Sequence, residues 1–202
     1  MKLVFTGIQG CGKGTQARIL VENHGYTLLE MGGCLRDIAS SGTDLGNKVK
    51  QTIESGALVT PEIVGEIMRE TLEKQTNDKL ILDGFIRNEG NKKSLEEITT
   101  DYKVVFFNLS KEKAIERLLG RMYNPTTGET FPHGTTHDPE TGEELVKRKD
   151  DNEASILKRI DEFMNNTLPT AQAQMKEGNV IEINADQSVE AVASELKEKL
   201  GL

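Results

Sequence analysis

The apolar residues of this chain gather in four short runs, Leu3–Thr6, Leu80–Asp83, Val104–Leu109 and Val180–Asn184, with a weaker fifth at Tyr26–Leu29. Runs this short and this continuous suit strands buried on both faces of a sheet. The segments Thr15–Asn23, Ile63–Lys74, Lys111–Met122, Asn152–Asn165 and Val189–Leu200 carry helical patterns instead. Thr60 stands where it can cap the second of these, with Pro61 in the first turn. Strands that alternate with helices predict a parallel sheet covered on both faces, with ligands at the C-terminal ends of its strands.

Two segments break the alternation. Met31–Val59 reads as two short helices interrupted by Gly42 and Gly56, too small to enclose a core of its own. Tyr123–Asp150 holds turn residues, threonines and three prolines, with almost no apolar periodicity. It contains a near-repeat, Asn124-Pro125-Thr126-Thr127-Gly128-Glu129 and Asp138-Pro139-Glu140-Thr141-Gly142-Glu143. Each half starts on an Asx–Pro step and reaches a glycine four residues on, the pattern of a tight knuckle. Long structureless loops are uncommon in compact domains, so the insertion reads as a lid.

Gly7-Ile8-Gln9-Gly10-Cys11-Gly12-Lys13-Gly14-Thr15 follows the first apolar run directly and opens the first helix. Glycines let the backbone curl with its N–H groups inward, the helix N-terminus adds partial positive charge, and Lys13 adds a full one. Gly7 to Lys13 fits the phosphate-loop spacing, with Gly14 interposed before Thr15. The segment is read as a nucleotide-phosphate site.

The net charge of −8 argues against a general nucleic-acid surface, which neutralises phosphates with many cations. Arginines that meet phosphates must then be focused locally. Arg117 and Arg121 lie four apart on one helix and lead into the lid; Arg148 and Arg159 stand at its exit. Arg36 and Arg87 follow the first insertion's start and the Asp83 strand. Phosphoryl transfer depends on positioning and charge neutralisation, which such a set supplies. Asp83, ending an apolar strand, can orient the water shell of Mg²⁺, with a buried ion pair as its competing role. Cys11 and Cys34 lack metal spacing and read as free thiols of a reducing compartment. The short N-terminal apolar run is neither a signal peptide nor a membrane span, so the expected setting is cytoplasmic, with no membrane partner.

The residues Gly7–Gln16, Leu35-Arg36, Gly56-Ala57-Leu58-Val59-Thr60, Leu82-Asp83-Gly84-Phe85-Ile86-Arg87 and Arg148-Lys149-Asp150-Asp151 together resemble the nucleoside monophosphate kinases. The likeness is greatest to adenylate kinases with a long lid, and runs from Met1 to about Leu200. It implies an α/β P-loop three-layer fold with a parallel central sheet, the core being residues 1–29, 60–120 and 152–202. Residues 30–59 would be the acceptor lobe and 121–151 the lid. The implied reaction is reversible phosphoryl transfer from ATP·Mg²⁺ to a nucleoside monophosphate, by a monomer.

By the same resemblance Gly10, Cys11, Gly12, Lys13, Gly14 and Thr15 hold the donor phosphates. Arg117 lies against the donor base, and Thr130, Phe131 and Gln187 complete the ATP side. Arg36 and Arg87 grip the acceptor phosphate, while Met31, Ala57, Leu58, Val59, Gly84, Phe85, Ile86 and Asn91 surround the acceptor. Arg121, Arg148 and Arg159 close over the transferring group and, with Lys13 and Arg87, form the catalytic set.

The chain departs from that family's pattern in three places. Glu30-Met31-Gly32-Gly33 replaces the usual S-T-G-D, removing a hydroxyl and a carboxylate. Ile86 replaces a proline, and a trans bond is expected before it. Asn91 replaces a base-reading glutamine; Arg87-Asn88-Glu89-Gly90-Asn91 resembles the uridylate–cytidylate kinases in this respect. AMP is the expected acceptor, with UMP or CMP the alternative. A P-loop switch with slow hydrolysis is the alternative of another class, but no guanine-reading N-K-x-D is present.

In related long lids four knuckle positions either bind zinc through cysteines or carry a polar set. Here they are Asn124, Thr127, Asp138 and Thr141, none a zinc ligand of the usual kind. A lid without structural zinc is expected, Asp138 accepting from the Thr127 and Thr141 hydroxyls and the Asn124 amide. His133 and His137 read as exposed. Cys11 reads either as a thiolate activated by Lys13 and the helix N-terminus, or as a shielded small residue.

Overall fold

The computed structural model describes residues 1–147 and 151–202. Five parallel strands form the central sheet: β1 (Lys2–Gly7), β2 (Thr27–Glu30), β3 (Leu80–Asp83), β4 (Tyr102–Asn108) and, numbered after the two short strands of the polar insertion, β7 (Val180–Asn184). Their spatial order is β2-β3-β1-β4-β7, with Lys2 opposite both Leu80 and Tyr102. β1 is thus central, and Leu3, Val4 and Phe5 are fully buried. The five expected strands are all present, the weak one a residue later than its apolar run.

Because successive side chains point to opposite faces, β1 divides its residues between two cores. Leu3 and Phe5 pack with Ala17 and Leu20 of α1 (Lys13–His24), and with Ala114 and Leu118 of α6 (Lys111–Gly120). Ile156 and Ile160 of α7 (Glu153–Glu162) and Val192 and Leu196 of α9 (Val189–Leu200) complete that side. Phe5 meets Phe107 edge-on, with centroids 4.9 Å apart. Val4 faces the other way, toward Met31 and Leu35 of α2 (Met31–Ala39), Val49 of α3 (Asp44–Glu54) and Met68 of α4 (Pro61–Glu73). The chain is therefore a three-layer α/β structure, as the strand–helix alternation implies.

Several boundaries differ from the sequence reading. Thr60 occupies the N-cap of α4 in an extended conformation, but its side chain makes no capping bond; Pro61 alone marks that start. Helix α6 stops at Gly120, and Arg121 is extended. Helix α5 (Glu89–Glu96) was not expected; Asn88 caps it, accepting the Asn91 N–H at 2.8 Å. Beyond α7 the chain passes through a π-helical segment, Phe163–Thr167, into α8 (Leu168–Lys176). Pro169 explains the widened turn, since its ring collides with a carbonyl four residues back in a regular helix. The described peptide bonds are all trans, including the one before Ile86.

The polar insertion is ordered by two knuckles. β5 (Met122–Tyr123) and β6 (Thr130–Phe131) pair antiparallel, and Tyr123 and His137 bridge to Val146 and Glu144. Asn124 Oδ1 accepts the N–H groups of Thr126 and Thr127 at 2.8 and 3.1 Å. Asp138 Oδ1 accepts those of Glu140 and Thr141 at the same two distances. The Gly128 and Gly142 N–H groups return to the carbonyls of Asn124 and Asp138, both glycines having φ near +75°. The sequence near-repeat is a structural repeat.

Candidate active site

The C-terminal ends of the strands open on a cleft of about 1430 Å³. On its floor the phosphate loop leaves β1 at Gly7, whose φ is +150°. A Cβ there would sit 2.7 Å from the Phe107 carbonyl and 2.9 Å from Cys11 Sγ, so the close approach of β4 demands glycine. Gly12 adopts a left-handed conformation and α1 begins at Lys13, two residues ahead of the expected start. Lys13 folds back, its ammonium donating to the Gly7 carbonyl at 2.8 Å and lying 3.5 Å from Cys11 Sγ. The charge therefore rests at the mouth of the loop. Cys11 is only 3 % exposed and belongs to the apolar core, which supports the shielded-residue reading of it.

Gly10 to Thr15, Arg36, Ala57, Asp83, Arg87, Arg117, Arg121, Thr130, Phe131, Arg159 and Gln187 all line this one cleft. Two cations neighbour Arg87: burial draws its guanidinium below the ordinary arginine value, Asp83 opposes this, and Arg159 and Arg36 add to it. Gly84, at φ +72°, leaves room for the group, since a Cβ there would lie 3.1 Å from Arg87 Nη2. Gly32 does the same for Arg36, at 3.2 Å. Arg117 donates to the Ala185 carbonyl at 3.1 Å, and so leans on the loop that carries Gln187. Gln187 donates to the Asn184 carbonyl at 2.9 Å and to Glu195 at 2.7 Å.

Met31, Val59, Phe85 and Ile86 are buried in the core beneath α2 and α4, and Leu58 is half-buried beside them. They build the floor that carries Arg36 and Arg87. Asn91 is 2 % exposed; its Oδ1 accepts the Arg87 N–H at 3.3 Å, and its buried Nδ2 has no partner among the described residues. Arg148 lies outside the described residues.

Three features of the cleft were not anticipated. Asp151, whose side chain is 3 % exposed, accepts two prongs of Arg121 at 2.6–2.9 Å and Arg159 at 3.0 Å. Arg18 of α1 pairs with Glu129 between β5 and β6, tying α1 to the polar insertion. Glu30 and Asp83 stand in register on adjacent strands and both line the cleft. Asp151 lies thirty positions from Arg121, and no local spacing signals that pairing.

In the polar insertion, burial pushes the Asp138 carboxyl up, but the Asn124 amide, the Glu140 and Thr141 N–H groups and the Thr141 hydroxyl outweigh it and hold the group below the usual carboxylate range. Asn124 Nδ2 donates to Asp138 Oδ2 at 2.7 Å and to the Thr141 hydroxyl at 3.4 Å. Thr127 differs from expectation. Its hydroxyl accepts the Glu129 N–H at 3.3 Å, because the turn carries it toward its own knuckle and away from Asp138. His133 and His137 are exposed, and among the described residues no group of three or more His, Cys, Asp or Glu gathers as for a metal. No described helix is long and apolar enough to cross a membrane.

A family model described as adenylate kinase matches residues 5–179. A protein named adenylate kinase from Chloroherpeton thalassium (strain ATCC 35110 / GB-78) is 34 % identical over 214 aligned positions, covering 99 % of this chain and 98 % of the relative.

Proposed function

Since the chain belongs to the adenylate kinase family and is thus a nucleoside monophosphate kinase, we propose that it moves a phosphoryl group from ATP to AMP, reversibly and with Mg²⁺. The observation that carries this reading is the convergence on one cleft of Lys13, Arg36, Arg87, Arg117, Arg121 and Arg159 with the carboxylate of Asp83. A transferring phosphoryl group spreads charge over its equatorial oxygens, and cations gathered in one cleft can stabilise that charge.

In this reading the loop from Gly10 to Thr15 binds the donor phosphates, and Lys13 turns from the Gly7 carbonyl to the migrating group. Arg36 and Arg87 hold the acceptor phosphate; Arg121 and Arg159, with Arg148 from outside the described residues, surround the group in flight. Arg117, Thr130, Phe131 and Gln187 hold the donor base and ribose. Residues 30–59 act as the acceptor lobe and 121–151 as the lid, excluding water as a competing acceptor. In this reading the working unit is a monomer.

The hard oxygen donors Asp83 and Glu30, in register beside the phosphate loop, suit Mg²⁺ and its water shell. When bound, that ion would neutralise charge on the donor phosphates. The lid holds its shape through Asn124, Asp138 and Thr141 in place of a zinc site.

Asn88 is accounted for as the α5 cap, so one half of the Arg-Asn-x-x-Asn likeness to pyrimidine kinases has a structural cause. Base reading then rests on Asn91 Nδ2, the buried donor still without a partner among the described residues. The test is a coupled assay with ATP and AMP, CMP, UMP, GMP and their deoxy forms. AMP should give the highest kcat/KM, and Lys13→Ala or Arg87→Ala should abolish turnover. ATP consumption without any added monophosphate would overturn the reading, and preference for CMP or UMP would reassign the acceptor.

A further inference from the structure

We propose that Thr167, which does not line the cleft, is a positioning residue for Arg87; the inference rests on the reading of Arg87 as the grip on the acceptor phosphate. Arg87 stands between β3 and α5, where neither ladder nor helix fixes its backbone. Side chains take over both of its main-chain polar groups. The N–H donates to Asn91 Oδ1 at 3.3 Å, and the carbonyl accepts the Thr167 hydroxyl at 2.8 Å. Asn91 and Thr167 are 2 % and 7 % exposed, so water competes little for either bond. The bond from Thr167 is the shorter, and it pins the peptide that follows Arg87.

Thr167 reaches this carbonyl from eighty positions away because it ends the π-helical segment. Inserting a widened turn re-aims the side chains that follow it relative to a regular helix. The Leu168 N–H closes the wide turn on the Phe163 carbonyl, and the Thr170 hydroxyl covers the Asn166 carbonyl at 2.9 Å. Those two carbonyls are served by neighbours in the chain, while the Thr167 hydroxyl serves the β3–α5 loop. With Gly84 beneath the guanidinium and its main chain held on both sides, Arg87 meets the acceptor phosphate already placed.

Thr167→Val keeps the branched shape and removes the hydroxyl; Thr167→Ser keeps the hydroxyl. Thr167→Val should lower kcat/KM for AMP by about fivefold while the KM for ATP stays within about twofold of the parent, and Thr167→Ser should restore the AMP value to within about twofold. In the ligand-free protein, the Arg87 Nε–H NMR signal should show a lower order parameter in Thr167→Val and the parent value in Thr167→Ser. Loss that falls equally on ATP and AMP, failure of serine to rescue, or an unmoved Arg87 signal would each overturn the proposal. The ligand-free measurement keeps the two readings separable: AMP turnover unaffected by Arg87→Ala would remove the grip, while the NMR comparison would still decide the clamp.

Discussion

Arg121 meets Asp151 through two of its nitrogens, at 2.6–2.9 Å, and the same carboxylate takes Arg159 at 3.0 Å. One buried anion therefore holds together two cations, from the lid hinge and from α7, that would otherwise repel. Truncating one partner of a buried charge set removes the counter-charge the others share, at a cost of about 3 kcal/mol. Asp151→Ala should lower unfolding stability by roughly that amount in denaturant melts. It should also reduce kcat by more than about tenfold, since both arginines lose their placement. Unchanged kcat with normal folding would separate the pair from the reaction.

The Arg18–Glu129 pair is about one-third exposed on each side and links the helix behind the phosphate loop to the lid. Glu129→Gln should widen the distance between labels placed on α1 and on the lid in the ligand-free protein at low salt. Near 1 M salt, where screening acts over about 3 Å, parent and variant should converge. Equal distances at low salt would show that the pair does not hold the lid.

Asp138 has its carboxyl held below the ordinary aspartate range, so its contribution to lid stability is complete above the unfolded value of 3.8. That contribution fades only as pH falls through the lower, folded value. Hydrogen exchange at the lid amides should then show no loss of protection due to Asp138 from pH 8 to about 4, and loosening as pH falls further. At neutral pH, Asp138→Ala should raise proteolytic nicking near Gly134, a glycine at φ +89° with nothing packed where a Cβ would be. Unchanged nicking would place the lid's stability elsewhere.

Of the two thiols, Cys34 is half-buried and Cys11 is inside the core. Alkylating reagents should modify Cys34 first, with activity retained, and reach Cys11 slowly. Peptide mass mapping against residual turnover checks the order. Rapid modification of Cys11 would mean that the loop opens far more readily than its packing suggests.

The sheet and the paired knuckles were legible because their signals are local: Val104–Phe107 is a continuous apolar run, and Asn124 and Asp138 begin a visible repeat. Helix α5 was not, because its only buried residues are Asn91 and Leu95, too few for an apolar stripe. Helix α8 was hidden by Pro169, which normally argues against a helical interior but here sits in its first turn after a π-helical segment. Thr60 shows the reverse error: residue type and position suit a cap, yet the side chain makes no capping bond. Arg36, Arg87, Arg117, Arg121 and Arg159 of the cleft could be listed from their places near element ends, whereas Arg18, inside α1, could not. Asp151 and Thr167 could not, since their importance comes from partners thirty and eighty positions away.

The central position of β1 also sets a schedule for folding during synthesis. Its neighbours, β3 and β4, begin at Leu80 and Tyr102, so the most buried strand is the first made and cannot pair until much later. At about 5–20 residues per second, Leu3, Val4 and Phe5 wait several seconds for their first partner. During that interval the phosphate loop has no β4 behind Gly7 to shape it, and nucleotide cannot steady the nascent chain. The helical lobe between β2 and β3 lengthens the wait, so any stretch added there prolongs the time the newborn chain spends exposed.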